Sequence, residues 1–384
     1  MSGDFRADVA VVGAGLIGLA IAFELAQRGA SVRVYDRDEP GRAASWAGAG
    51  MLAPYSESID DEPMRALCAQ SLAEYPAFIE RVESASSIDS KLRLNGIVHA
   101  AFDDAELDAL RANAAALALR GVRSELLDRA HIVAFEASLG AHVSGGLLVC
   151  DEGTVDNRRL GRALSVACEA SGVEIERNAA DLAVECDARR VLGIRCRRGF
   201  APATTVVNAT GAWAAHLAGV PAIAVPPIVP VKGQMLALAM PRGFVQRPIW
   251  LPGAYMVPRD DGRLLIGATV EAAAFDTRVT AEGVRTLLEA AVRAVPSLGE
   301  FALIETWAGS RPGSPDGRPI LGPTPIDGLW NATGHFRNGI LLAPVSARLI
   351  AESIASGNRS PQLAPFTVDR FKAEAAPSGR IRVS

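Results

Sequence analysis

Gly13, Gly15 and Gly18 form a Gly-x-Gly-x-x-Gly turn, and Asp36 follows eighteen residues after the last glycine. These residue types at this spacing hold a dinucleotide. Gly13 permits a tight turn, Gly15 lets a pyrophosphate approach the backbone, and Gly18 permits close helix–strand packing. A helix opened by such a turn offers free N–H groups and partial positive charge to phosphates, while Asp36 is placed to accept from ribose hydroxyls. A second segment of interest is Arg42–Met51, where Ala43, Ala44, Ser45, Ala49, Gly50 and Met51 are small or flexible enough to lie against a flat ring. Trp46, Met51 and Leu52 make it too apolar for a solvated loop. A third is the glycine-flanked turn Gly334–Pro344, which leads into a helix over Val345–Ile354. A helix start stabilises negative charge on a ring placed before it. His99, His131, His142 and His216 have no motif context, and no metal constellation is visible.

The elements needed to position these residues are legible. Asp8–Val12 reads as a strand, Leu19–Arg28 as a helix closed by Gly29, and Ser31–Tyr35 as a second strand. Such a β–α–β crossover requires a parallel sheet. Strand candidates Thr205–Asn208 and Leu329–Ala332 each run into Asn-Ala-Thr-Gly, at 208–211 and 331–334. Gly211 and Gly334 are therefore expected at strand ends over one ligand. The middle of the chain differs: Gln234–Ala239 and Tyr255–Val270 are strand-like without helical crossovers, and Asp261-Gly262 signals a hairpin. A two-residue turn there would set Arg259 opposite Leu264, Val257 opposite Ile266 and Tyr255 opposite Ala268, with Tyr255 and Val270 on one face. The predicted fold class combines a Rossmann-like α/β nucleotide domain (1–85, 143–220 and 305–384) with an α+β antiparallel-sheet domain (86–142 and 221–304), including a helix across Asp104–Leu119.

Composition limits the alternatives. The 384 residues are 49% hydrophobic and 21% charged, as in a globular enzyme large enough to enclose a planar cofactor. A net charge of −4 without long single-sign runs argues against nucleic acid or an anionic membrane as partner. The apolar stretch Val9–Ala26 contains three glycines and Glu24, so it reads as strand and helix rather than a membrane span or signal peptide. Cys68, Cys150, Cys168, Cys186 and Cys196 contain no CxxC pair, which fits a reducing cytoplasm. One nucleotide fingerprint leaves no second domain for a separate NAD(P)H, which favours FAD.

The runs at 11–36, 40–54, 230–235, 255–269, 307–322 and 334–344 together resemble the D-amino-acid-oxidase superfamily of FAD enzymes. The segments 41–54 and 334–344 are most similar to the bacterial glycine oxidases associated with thiamin biosynthesis, whereas 80–140 matches loosely. The resemblance implies FAD contacts at Leu16, Ile17, Asp36, Arg37, Ala43, Ala44, Ala49, Gly50, Met51 and Asp181. It implies further contacts around the ring from His335, Phe336, Arg337, Asn338, Gly339, Ile340 and Leu341. Some relatives tether flavin through a Cys near the position of Ser314; no cysteine lies beyond Cys196, so FAD is expected to be non-covalent.

Arg311 matches the family's carboxylate-binding arginine, a role suited to a planar guanidinium. Tyr255 matches a second substrate contact and Arg337 an arginine near the mouth. Val270 and Gly253 stand where relatives carry Met and His, which implies a roomier pocket. The implied activity is oxidation of glycine, sarcosine or small D-amino acids, by hydride transfer from Cα to flavin N5. O2 is the expected acceptor, giving H2O2, and a homo-oligomer is expected. The rival readings are a D-amino-acid or N-methyl-amino-acid dehydrogenase that reduces a quinone, and a non-catalytic flavin-binding regulator.

Overall fold

The structure is a computed structural model describing residues 7–57 and 59–371. Strand β1 (Ala7–Val12), helix α1 (Leu16–Ala26) and strand β2 (Val32–Tyr35) form the expected β–α–β unit. The helix begins three residues earlier than the pattern suggests. Leu16 N–H donates to Ser45 Oγ (2.9 Å) and Leu19 N–H to Gly15 carbonyl (2.9 Å), so half the glycine motif is already helical. Apart from Glu24, which is paired with Arg28 and Arg81, α1 is apolar on every face and buried, as a helix enclosed between layers should be.

β1 lies at the centre of a parallel sheet between β2 and the strand Gly199–Asn208, with Leu329–Thr333 beyond the latter. Asn208 and Asn331 are direct partners across that pairing, so the two Asn-Ala-Thr-Gly copies end side by side. Thr333 Oγ1 donates to Gly211 carbonyl at 2.9 Å, tying the two ends together. The helices Glu62–Ser86, Asn157–Ala170 and Ala343–Ser356 join α1 in one apolar core on this sheet.

The second sheet is ordered Leu303–Gly313, Val229–Ala239, Arg263–Gly267, Ala254–Pro258, Ile249–Leu251, Ile97–Ala101, Gly145–Val149 and Ser124–Asp128. It is antiparallel throughout except where Ile249–Leu251 meets Ile97–Ala101. Backbone pairing therefore carries it past the expected limits at 142 and 304, to take in Gly145–Val149 and Leu303–Gly313. The helix at Asp104–Leu119 has the expected bounds, with Asp103 accepting from the Glu106 N–H as its cap.

The hairpin register differs from expectation by one residue. Tyr255 pairs with Gly267 and Val257 with Leu265, and Arg259 N–H donates to Arg263 carbonyl. Three residues, Asp260, Asp261 and Gly262, thus form the turn, with Gly262 at φ +89°. A three-residue loop ending in a left-handed glycine is the next most common hairpin, and it competes for the same Asp-Gly signal.

Candidate active site

A single elongated cavity of about 480 Å3 runs from the ends of the parallel strands to the inner face of the second sheet. Its nucleotide end is lined by Gly13, Gly15, Leu16, Ile17, Asp36, Arg37, Asp181 and Gly211. A methyl group on Gly13 (φ +106°) would lie 2.4 Å from Ala209 carbonyl, whereas one on Gly15 meets nothing closer than Ser45 Oγ at 3.3 Å. Gly13 thus makes the turn, and Gly15 leaves open space where a ligand can approach the backbone. Gly18 packs against Gly13 outside the lining, which is the packing role its position implies. The Asp36 carboxylate accepts from Ala14 N–H and, at 2.9 Å, from Asp38 N–H. Burial raises its pKa above the usual carboxylate value. Arg37 stacks on Trp213 at 3.9 Å, and the Asp181 side chain turns to Arg197 at 3.4 Å.

Ala43, Ala44, Ser45, Ala49, Gly50 and Met51 all line the cavity. Residues of the second sheet and of the helix Asn157–Ala170 hold this segment. Buried Arg259 donates to Ala49 carbonyl and Asn157 Oδ1, each at 2.9 Å, and Trp307 Nε1 donates to Ala47 carbonyl at 2.9 Å. The Arg158 guanidinium lies 3.7 Å over Trp46 and ion-pairs with Glu305 at 3.0 Å. The opposite wall is the turn His335–Ile340. His335 meets Ser346 Oγ at 3.1 Å, and burial lowers its pKa to about 3, which keeps the ring neutral. Tyr75 Oη and Ser71 Oγ donate to the carbonyls of Ile340 and Leu341 at 3.0 and 2.6 Å. Leu341 itself points into the apolar core and Gly334 lies behind the wall, so neither lines the cavity.

At the far end Arg311, Tyr255, Arg337 and Val270 converge, joined by Glu57, Trp250 and Met235. Arg311 donates to the carbonyls of Lys232 (3.2 Å) and Thr269 (3.1 Å), and the Tyr255 hydroxyl lies near enough to act on its charge. Its guanidinium lies flat against Gly233, where an added methyl would sit 2.3 Å from Nη1. Burial raises the Tyr255 pKa, which keeps its hydroxyl protonated and able to donate. Tyr255 and Val270 share the cavity although the hairpin register that suggested it is wrong, because Val270 lies beyond the paired strand. Gly253 is a correction: it occupies the exposed turn between Leu251 and Ala254 at φ +82°, outside the lining.

The family described as FAD dependent oxidoreductase matches residues 8–353. The chain belongs to it. The chain is 39% identical over 371 residues to the bifunctional protein ThiO/ThiG of Synechocystis, covering 95% of this chain and 54% of that protein. It thus spans about half the length of such relatives. With the glycine oxidase of Pseudomonas aeruginosa it shares 36% identity over 375 residues, covering 97% of this chain and 99% of the other. The crystal structure of glycine oxidase from Geobacillus kaustophilus superposes with a TM-score of 0.88 at 34% identity, over 94% of this chain and 98% of that one.

For an FAD-dependent oxidoreductase the residues present fit the cofactor. The open face of Gly15, the acid ending β2 and a cavity continuous from Asp181 to Arg311 suit an extended dinucleotide. Among the described residues no cysteine lines the cavity, and Ser314 Oγ is turned away to Arg318 carbonyl at 2.6 Å. All five cysteines are free, and no helix of the described residues is long and apolar enough to cross a membrane. Sequence reasoning missed Glu57, Trp250, Met235, Gly233 and Arg259. The signal available for Arg259 was an arginine inside an apolar strand pattern; the others carry no local mark.

Proposed function

We propose that this chain is an oxidase of small amino acids, with glycine, sarcosine and small D-amino acids as its substrate class and non-covalent FAD as cofactor. The observation that carries the reading is the Arg311 guanidinium, packed on Gly233 and sharing with Tyr255 the end of the cavity that begins at the glycine turn. A guanidinium so placed grips a carboxylate through parallel hydrogen bonds, and the Tyr255 hydroxyl adds a donor. Arg311 and Tyr255 would thus fix the carboxylate and orient Cα. The substrate amine in its neutral form supplies lone-pair density as hydride departs, so no strong protein base is needed; the walls contribute position and exclude water. Bound flavin supplies the two-electron acceptor chemistry. The product imine hydrolyses to a 2-oxo acid and ammonia or amine, and O2 takes the electrons to give H2O2. Likeness to proteins named glycine oxidase supports the same class.

The test is an anaerobic screen in which glycine, sarcosine, D-alanine, D-proline and larger D-amino acids are mixed with the purified flavoprotein. Bleaching of the oxidised flavin band by the small members, with one H2O2 per substrate in air, is the expected result. Bleaching without peroxide would replace the oxidase by a quinone-reducing dehydrogenase. No bleaching by any amine would leave a non-catalytic flavoprotein.

A further inference from the structure

Two arginines but one carboxylate line the substrate end of the cavity. Arg337 Nε lies 3.9 Å from Glu57 Oε2, and Asn338 Nδ2 donates to that same oxygen at 3.3 Å. Arg311 acts on the Glu57 carboxyl as well, through space rather than by contact. With Glu57 ionised the trio carries one net positive charge, which matches a single substrate carboxylate. With Glu57 neutral it carries two, which matches a dicarboxylate. We propose that Glu57 is a specificity-determining residue, whose carboxylate occupies Arg337 and so restricts the site to monocarboxylic amines. The inference rests on Arg311 being the substrate-carboxylate anchor.

The placement of Glu57 supports this role. Its side chain is 13% exposed, and the neighbouring backbone is pinned from behind. Buried Glu152 accepts from the N–H groups of Tyr55 (2.5 Å) and Ser56 (2.8 Å), and Ser56 Oγ also contacts His99 Nε2 at 2.6 Å. Such a network holds the next residue in one position. The groups acting on the Glu57 carboxyl are Arg337 and Asn338 from the turn, Arg311 and Tyr255 from the second sheet, and Glu152 and Cys68. Burial, partly countered by Arg337, raises its pKa to about 7. The arrangement is therefore fully charged only on the alkaline side, and the test belongs at pH 8.

Propionate and malonate, acids of equal chain length with one and two carboxylates, are titrated calorimetrically into the flavoprotein at pH 8. Wild type is expected to prefer propionate. Glu57→Gln is expected to move the malonate-to-propionate affinity ratio toward malonate by about tenfold or more, the scale of one close charge pair. The Glu57→Gln, Arg337→Gln double variant should lose that gain. Should Glu57→Gln not fold, Arg337→Gln alone decides: an unopposed Glu57 beside Arg311 should weaken propionate binding by about tenfold. Propionate binding to wild type with a ratio unmoved in Glu57→Gln, or propionate affinity unchanged in Arg337→Gln, overturns the inference alone. If wild type binds neither acid, the carboxylate-anchor reading falls and takes this inference with it.

Discussion

At the nucleotide end the cavity wall joins the β1–α1–β2 stretch to residues 179–182, 209–218 and the strand end at 332–333, and many of these residues are glycine or alanine, which leave backbone open to a ligand. At the substrate end it is side chains from separated parts of the chain: Glu57, Met235, Trp250, Tyr255, Arg311 and Arg337. A dinucleotide is recognised through groups that every residue carries, so that end demands small residues and one acid. The proposed amino-acid substrate would be recognised through charge and shape, so that end demands particular side chains held by distant neighbours. Loss at the first end should remove the cofactor. Loss at the second should spare the cofactor and remove selectivity or turnover.

Gly15→Val is expected to give the largest effect, a folded protein purified without flavin, because the branched side chain grows into the open space above the turn. The absorbance ratio of flavin to protein measures this, and full flavin occupancy would show that Gly13–Gly18 is not the phosphate turn. Arg311→Ala should leave that ratio unchanged while kcat/KM falls by about 2–5 kcal/mol in activation free energy. Arg311→Lys should recover part of the loss, since an ammonium lacks the guanidinium fork. Loss of flavin from Arg311→Ala would erase the division between the two ends.

The network behind the substrate end gives a prediction in pH. Burial raises Glu152 to a pKa of about 7 from the usual 4.5, so the folded chain keeps a proton that the unfolded chain has released between those values. The stability this contributes is present below pH 4.5 and is lost as pH rises through 7. Glutamine cannot ionise and can still accept from Tyr55 and Ser56. Glu152→Gln should therefore gain on the order of 2–3 kcal/mol relative to wild type between pH 5 and pH 8. Denaturant titrations at the two pH values check it, and an equal difference at both would mean that Glu152 is ionised throughout.

Val270→Met is expected to have the smallest effect. Val270 lines the cavity but is 40% exposed. The added bulk should shift preference toward glycine over a larger D-amino acid by about threefold, below the tenfold or more of a buried methylene. The ratio of kcat/KM for the two substrates reports it, and a constant ratio would assign pocket size to Trp250 or Met235 instead.

The β–α–β unit and its glycine turn were legible in residues 13–36 because their parts are close in the chain and bound to local geometry: a turn, a helix start and a strand end. The paired Asn-Ala-Thr-Gly ends were legible as well, since parallel strands of one sheet finish at the same level. At the other end Arg311 and Tyr255 were found through family resemblance, while Glu57 and Gly233 were not found at all. Nothing beside Glu57 marks it, and a glycine in a strand does not announce which guanidinium will lie against it. The hairpin shows the same limit, because Asp260-Asp261-Gly262 permits turns of two or three residues and the one-residue difference is decided by pairing with Val229–Ala239. Sequence by itself determined the elements, the glycine turn and the residue types able to bind a carboxylate. Tertiary structure decided register, which side chains share the cavity, and that Glu57 faces two arginines rather than solvent. The physical reason is that backbone propensity and turn chemistry act over a few residues, whereas burial and charge balance arise only when distant segments remove one another from water.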